Sequence, residues 1–381
     1  MANGIAALLM CLACIGALFG LAAVVLAGRY RAVPLADAKL PPITVLKPLH
    51  GAEPALEANL DSVFAQDYPA PIQIIAGVSD PDDPARACFA AVAARHPNIV
   101  SHIIVDALQH GLNNKLSNLT NMAPAIEHGL VVIADSDVAW MPDTLRRLAS
   151  AMGDPTVGLA TCLHVGRGDV GFWSRMAAMD ISYRYMPMVI VGTAMGLARP
   201  ALGPTMAMSR DALESIGGFA RFATVLADDY EIGRAIREQG LQTILPPLFV
   251  THGCAESSLG ALLAHELRWS LTIARIDFAG FIGSITLHAL PLALLGMVLA
   301  NFPIESWIVL GTVLAARWAT KARIDAVAGR SSGPAWLLPI RDLLSFGVFC
   351  ATFVIKKVDW RGAQFRVTRD GKLHSLQGSA P

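Results

Sequence analysis

From Gly4 to Ala27 the chain carries no charged residue, and this run constrains what the rest can fold into. About twenty apolar residues wound into a helix cross the hydrocarbon core of a bilayer. Residues 1–30 are therefore expected to form a membrane anchor. A cleaved signal peptide would carry positive charge ahead of a shorter apolar stretch, whereas Arg29 and Arg31 here follow a long one. Basic residues favour the cytoplasmic side, so the residues that follow are expected in the cytoplasm.

Three more apolar stretches, 280–301, 304–316 and 335–355, lie near the other end, and the last contains Arg341 and Asp342. An odd number of passes there would put the basic tail (Lys356, Lys357, Arg361, Arg366, Arg369) outside. An even number is therefore expected, with one stretch re-entrant or interfacial. This gives membrane segments over 280–356 and a basic cytoplasmic tail over 357–381. Of the 381 residues, 54% are apolar, too many for an ordinary soluble enzyme, yet the chain is too long to be only an anchor. Thirty basic residues balance thirty acidic ones, so nothing suggests a nucleic-acid partner. The six cysteines are scattered, and Cys11 and Cys14 sit in the apolar run without polar company, which fits a reducing compartment.

Over residues 40–257 the pattern changes to short β-rich runs alternating with helical ones, which predicts an α/β domain with a mostly parallel sheet covered by helices. Strands are expected at 43–49, 72–78, 100–105, 131–134 and 157–163. Helices are expected near 55–66, 84–95, 115–128 and 142–152, with Pro54, Pro84 and Pro142 where helices start. Ligands of such sheets bind beyond the carboxyl ends of the strands. Two of these ends are acidic: Asp80-Pro81-Asp82-Asp83 and Asp135-Ser136-Asp137.

Asp135 and Asp137 offer two hard oxygen ligands on one side of a turn, suited to Mg²⁺ or Mn²⁺ holding a diphosphate. Solvation of the loop, or a cap on the next helix, explains the tripeptide alone equally well. Asp228-Asp229 open a helical stretch, where a carboxylate serves either as general base or as helix cap. His265-Glu266-Leu267-Arg268-Trp269 falls on an amphipathic helix expected at the membrane interface over 258–279. There Arg268 is suited to diphosphate oxygens and Trp269 to packing beside a sugar or lipid, although both are also common interfacial anchors.

Together these residues resemble the ceramide glucosyltransferase family, whose fold is GT-A. The elements are Thr44-Val45-Leu46-Lys47-Pro48-Leu49, Gln66-Asp67-Tyr68-Pro69, the acidic cluster ending at Asp83-Pro84, Asp135-Ser136-Asp137, Gly217-Gly218-Phe219, Asp228-Asp229-Tyr230 and Arg268-Trp269. The resemblance implies an inverting glycosyltransferase that moves glucose or N-acetylglucosamine from a UDP-sugar to a hydroxyl of a membrane lipid. It implies Asp83 by the nucleotide base or ribose, Asp135 with Asp137 on a Mg²⁺ or Mn²⁺ ion and the diphosphate, and Asp229 as catalytic base. It also implies Lys115 at the donor phosphates, where a solvated surface lysine is the alternative, and Arg268 with Trp269 closing the donor site. His265 departs from the family, which usually has Gln or Arg there.

Gln109-His110-Gly111 and Lys115-Leu116-Ser117-Asn118-Leu119 look most like the bacterial hopanoid-biosynthesis branch. That resemblance favours a hopanoid polyol as acceptor and the cell inner membrane as location. Ceramide is the alternative acceptor, and a processive polysaccharide synthase is a more distant alternative. The acceptor region is expected around Trp173, Met186 and His265, in a methionine-rich stretch over 172–208 that suits an irregular apolar surface.

Overall fold

The computed structural model describes residues 2–30 and 40–355, with short strands at 358–360, 363–367 and 373–375. Arg31, Lys356, Lys357, Arg361 and Arg369, on which orientation was argued, lie outside the described residues. The chain divides into two compact units. One holds 32–169 and 199–255. The other holds 1–31, 170–198 and 256–381, so residues 170–198 leave the α/β stretch for the second unit.

The first unit has strands β1 (Ile43–Pro48), β2 (Ile72–Val78), β3 (Val100–Val105), β4 (Leu130–Ala134), β5 (Val138–Ala139), β6 (Val157–Thr161), β7 (Leu163–Gly168), β8 (Thr205–Ser209), β9 (Gln242–Ile244) and β10 (Phe249–Cys254). Seven form one sheet in the order β3-β2-β1-β4-β8-β6-β9. Its strands run parallel except β8, which is antiparallel to both β4 and β6. β1, β2 and β4 are buried along their whole length, as continuous Val/Ile/Leu runs are when helices cover both faces.

Helices Leu56–Phe64, Ala85–Arg95 and Thr144–Ala151 cover one face, over a core that includes Val45, Ile74, Val92 and Leu148. Asn114–Met122 and Asp228–Glu238 cover the other, over Leu46, Ile75, Leu119 and Ile236. Pro84 occupies the cap position of Ala85–Arg95. β5, β7 and β10 make a second small sheet, in which His252 pairs with Val138.

In the second unit, three helical stretches among the described residues are long and apolar enough to cross a membrane: Asn3–Tyr30, Phe278–Leu299 and Ala335–Thr352. Ile304–Ala328 is as long as the first helix but carries Arg317, Lys321, Arg323 and Asp325. The first helix turns small residues inward (Ala13, Ala17, Ala23) and leaves Leu8, Leu18 and Val25 exposed. A Cβ on Gly16 would overlap the carbonyl of Thr286 and lie 2.7 Å from Cβ of Ala289, the close approach that small residues permit in membrane helices. Thr320 Oγ1 donates to the Gly20 carbonyl at 3.1 Å and Arg323 Nε to that of Val24 at 3.0 Å.

Phe172–Asp180 and Met186–Ala194 are joined by a π-helical turn, Ile181–Tyr185. Met176, Met179 and Met186 are fully buried here, as are Met206 and Met208 on β8. These thioethers pack the interior and do not form the apolar surface expected of them. The exposed large apolar side chains of 172–208 are Phe172, Leu197 and, among the methionines, Met195.

Candidate active site

The carboxyl ends of β1, β2 and β4 share one edge of the sheet, and β8 begins beside the end of β4 because Ala134 pairs with Thr205. That register brings the segment before β8 against the Asp-x-Asp turn: Asp135 N donates to the Pro204 carbonyl at 3.2 Å. One residue earlier, Gly203 N donates to Asp229 Oδ2 at 2.9 Å. The antiparallel strand thus draws the third acidic cluster to the edge where the second lies.

Lys115 joins them. Its Nζ lies 2.6 Å from Asp135 Oδ1 and 3.7 Å from Asp228 Oδ2, and the side chain is 24% exposed. Burial alone would lower the Lys115 pKa, but Asp135 and Asp228 outweigh it and raise it. The lysine stays charged. It sits in the first turn of Asn114–Met122, capped by Asn113, whose Oδ1 accepts from Leu116 N at 3.2 Å and whose Nδ2 donates to the Val225 carbonyl at 3.0 Å.

Asp229 stands in the first turn of Asp228–Glu238. Burial, and then the neighbouring Asp228, push its carboxyl up to about 6. A carboxylate with that value is poised to take a proton near neutrality.

Asp137 faces a different set of groups. Its Oδ1 is 3.4 Å from His252 Nδ1. Burial would raise this carboxyl, yet His252, Lys47 and Lys115 together hold it below the ordinary range. Lys47 is fully buried on β1 and donates to the Asp135 carbonyl at 2.5 Å and to that of Val138 at 3.4 Å, which clamps both sides of the turn. Burial lowers the Lys47 pKa to about 8 against the pull of Asp137 and Asp135. Ser136 Oγ donates to Glu53 Oε1 at 2.7 Å, and burial and Asp137 push the Glu53 carboxyl up to about 7.

Asp135 and Asp137 are hard oxygen donors on one turn, and their charge is only partly offset by Lys115 and His252. Among the described residues no three His, Cys, Asp or Glu side chains converge into a metal cage. Two carboxylates suit Mg²⁺ or Mn²⁺ that takes its remaining ligands from substrate phosphates and water, so the residues present fit that kind of ion.

Asp83 is buried, with both carboxylate oxygens 3.0 Å from Gly51 N and Oδ1 accepting from Ala85 N at 2.8 Å. It ties the loop after β1, where Gly51 has φ +73°, to the start of Ala85–Arg95. An open cavity of about 580 Å³ nearby, bounded by Glu53, Glu57, Pro84 and Arg95, holds none of the clustered aspartates.

The remaining expected residues belong to the second unit. His265 and Trp269 lie a turn apart on Leu259–Ile276 with their rings edge to face at 4.8 Å. His265 Nδ1 contacts buried Glu256, and Trp269 is 6.2 Å from Tyr185. Arg268 stands between them on the same helix, Trp173 packs edge-on against Phe172 at 4.9 Å, and Met186 is interior.

Sequence reasoning did not single out Glu53, His252 or Gly203 as site residues, and Lys47 entered only as part of a motif. A lysine inside an otherwise apolar strand was the available signal for Lys47. Gly203 and His252 become visible only through the register of β8 and β10, and Glu53 only through its contact with Ser136.

Comparison with known proteins identifies the family and the fold. The family model for glycosyl transferase family 21 matches residues 6–373. Ceramide glucosyltransferase 1 of Caenorhabditis elegans is 25% identical over 223 residues, covering 58% of this chain and 47% of that protein. A ceramide glucosyltransferase of Komagataella phaffii is 30% identical over 114 residues, covering 29% and 22%. The chain spans about half the length of the C. elegans relatives it matches. Among solved structures, a mannosyltransferase from Pyrobaculum calidifontis, in complex with GDP-Man and Mn²⁺, superposes with a TM-score of 0.53 at 21% identity, covering 93% of this chain and 99% of that one. The fold is therefore the GT-A arrangement expected from the sequence, and the chain belongs to glycosyl transferase family 21.

Proposed function

We propose that this protein transfers a sugar from a nucleoside-diphosphate sugar to a hydroxyl of a membrane lipid, with inversion at the anomeric carbon. The observation that carries the reading is the Lys115 bridge, which gathers Asp135 and Asp228 at one sheet edge beside a carboxylate, Asp229, raised to about 6. Asp229 accepts the proton of the acceptor hydroxyl as its oxygen bonds to the anomeric carbon and the bond from that carbon to the diphosphate oxygen breaks. Lys115 places a permanent positive charge at the edge where the diphosphate charge grows. Asp135 and Asp137 would hold a Mg²⁺ or Mn²⁺ ion, which supplies Lewis-acid stabilisation of the departing nucleoside diphosphate. Lys47 and Glu53 keep the Asp-x-Asp turn rigid.

The donor is a UDP-sugar carrying glucose or N-acetylglucosamine. A hopanoid polyol is the favoured acceptor, and the site faces the cytoplasm at the inner membrane. Three candidate membrane spans support a lipid acceptor, and the names of the matched relatives support ceramide as the second reading. The test is a mass-spectrometric product assay of the chain in lipid with Mg²⁺ or Mn²⁺. UDP-glucose and UDP-N-acetylglucosamine are each offered with ceramide or a bacteriohopanepolyol. An N-acetylhexosaminyl hopanoid is expected; hexosylceramide assigns the second reading; donor binding without product from any pairing sinks the lipid-acceptor reading.

A further inference from the structure

We infer that Arg341, on the C-terminal helix Leu338–Thr352, is a positioning residue for the transfer reaction, an inference that rests on the function proposed above. Arg341 is 1% exposed. Its Nη2 meets Glu266 Oε2 at 2.6 Å, and Nε and Nη2 lie 3.2 and 3.0 Å from Ser345 Oγ. Ser345 in turn donates to Asp180 Oδ1 at 2.6 Å, and Asp180 takes both Nε and Nη2 of Arg184 at 2.8 and 2.6 Å. One network thus joins Leu338–Thr352, Leu259–Ile276 and the Phe172–Tyr185 segment.

An arginine inside a span apolar enough to cross a bilayer is not there to hold the helix in lipid, since leucine would do that better. Buried ion pairs also add little net stability over well-packed apolar residues. What the guanidinium does supply is direction, because its planar donors are rigid and Nε and Nη2 find their partners in one orientation, with Nη1 left unpaired among the described residues. Glu266 Oε2 is held by Nη2 of that guanidinium, and Ser270 Oγ lies 2.8 Å from Thr352 Oγ1 on the same pair of helices. These two pins bracket Arg268 and Trp269. Sliding the helix by one turn, about 5.4 Å, would break both.

The test compares Glu266→Gln, Arg341→Met and the double variant in the full chain. Arg341→Met alone strands a buried carboxylate and can fail to fold. The double variant removes both charges and restores packing, so it keeps the test open. If the pair only stabilises, the double variant recovers the wild-type kcat. If Arg341 positions the helix, the folded double variant keeps donor KM within about twofold while kcat falls about tenfold or more.

A second readout needs no activity. In a Cys350→Ser background, Ser270→Cys with Thr352→Cys is expected to cross-link readily, and adding Glu266→Gln with Arg341→Met to slow that about tenfold. A wild-type kcat or an unchanged cross-linking rate in the double variant overturns the inference. Should the wild-type chain transfer no sugar, the proposed function fails, and cross-linking alone decides whether Arg341 fixes the helix.

Discussion

Asp229 Oδ2 accepts the backbone N–H of Gly203 at 2.9 Å, and a Cβ added to Gly203 would stand 3.2 Å from that same oxygen. The glycine therefore both aims the carboxylate and leaves it room. Gly203→Ala is expected to push the base aside and lower kcat by about tenfold without unfolding the protein. Asp229→Ala removes the base and is expected to cost about 10²–10⁴-fold with donor binding retained. Steady-state kinetics with donor titration checks both, and an undiminished kcat in Asp229→Ala would remove Asp229 from the mechanism.

The pH dependence follows from the same carboxylate, raised to about 6 by burial and Asp228. The base works ionised, so kcat/KM should rise with pH and level off above about 6. Stability runs the other way. The folded carboxyl binds its proton more tightly than an unfolded one of pKa about 3.9, so its contribution is fully present below about pH 4 and lost as pH rises through about 6. Asp229→Asn should flatten this part of the stability profile. Glu53, raised to about 7, is separated by the same measurements on Glu53→Gln.

Lys115→Met removes the cation between Asp135 and Asp228. Both carboxylates are then left partly buried and mutually repelling, at an expected cost of about 2–3 kcal/mol once residual solvent access is allowed for. Denaturation in detergent reads this loss. Added Mn²⁺ should return part of it, because a divalent ion can then neutralise Asp135. Transfer should fall by about 10²-fold or more even where folding is restored.

Chelation by EDTA is expected to abolish transfer, and Mn²⁺ or Mg²⁺ to restore it. Asp137→Asn should raise the Mn²⁺ concentration needed by about tenfold or more, visible without turnover as weaker Mn²⁺ binding by electron paramagnetic resonance in the presence of donor. An unchanged Mn²⁺ requirement would place the ion elsewhere.

Much of this architecture was legible before any coordinates, for identifiable reasons. β1, β2 and β4 are apolar runs bounded by turn residues, and prolines mark the helix starts, so the parallel half of the sheet follows from local patterning. β8 does not. Thr205–Ser209 holds two methionines and an alanine, no different in composition from the helical segment before it, and only long-range pairing makes it a strand. The acidic clusters were legible one by one as strand and helix ends. Their union came only from the family resemblance and from no local pattern, because Lys115, Asp135 and Asp228 meet through tertiary contacts. Five of the methionines misled, Met195 excepted, because a flexible thioether fills a core as readily as it lines a surface.

The small-residue face of the first helix bears on how the protein is made. Its main packing partners within the unit, Ala289–Leu299 and Ile304–Ala328, are synthesised more than two hundred residues later. At about 5–20 residues per second, the helix waits in the bilayer for on the order of tens of seconds. A face of Ala13, Gly16, Ala17 and Gly20 loses little by touching lipid during that wait and offers no bulky knob to a wrong partner. Leucines there would grip the first helix that passed; alanines and glycines reserve their contact for one whose backbone can come close enough.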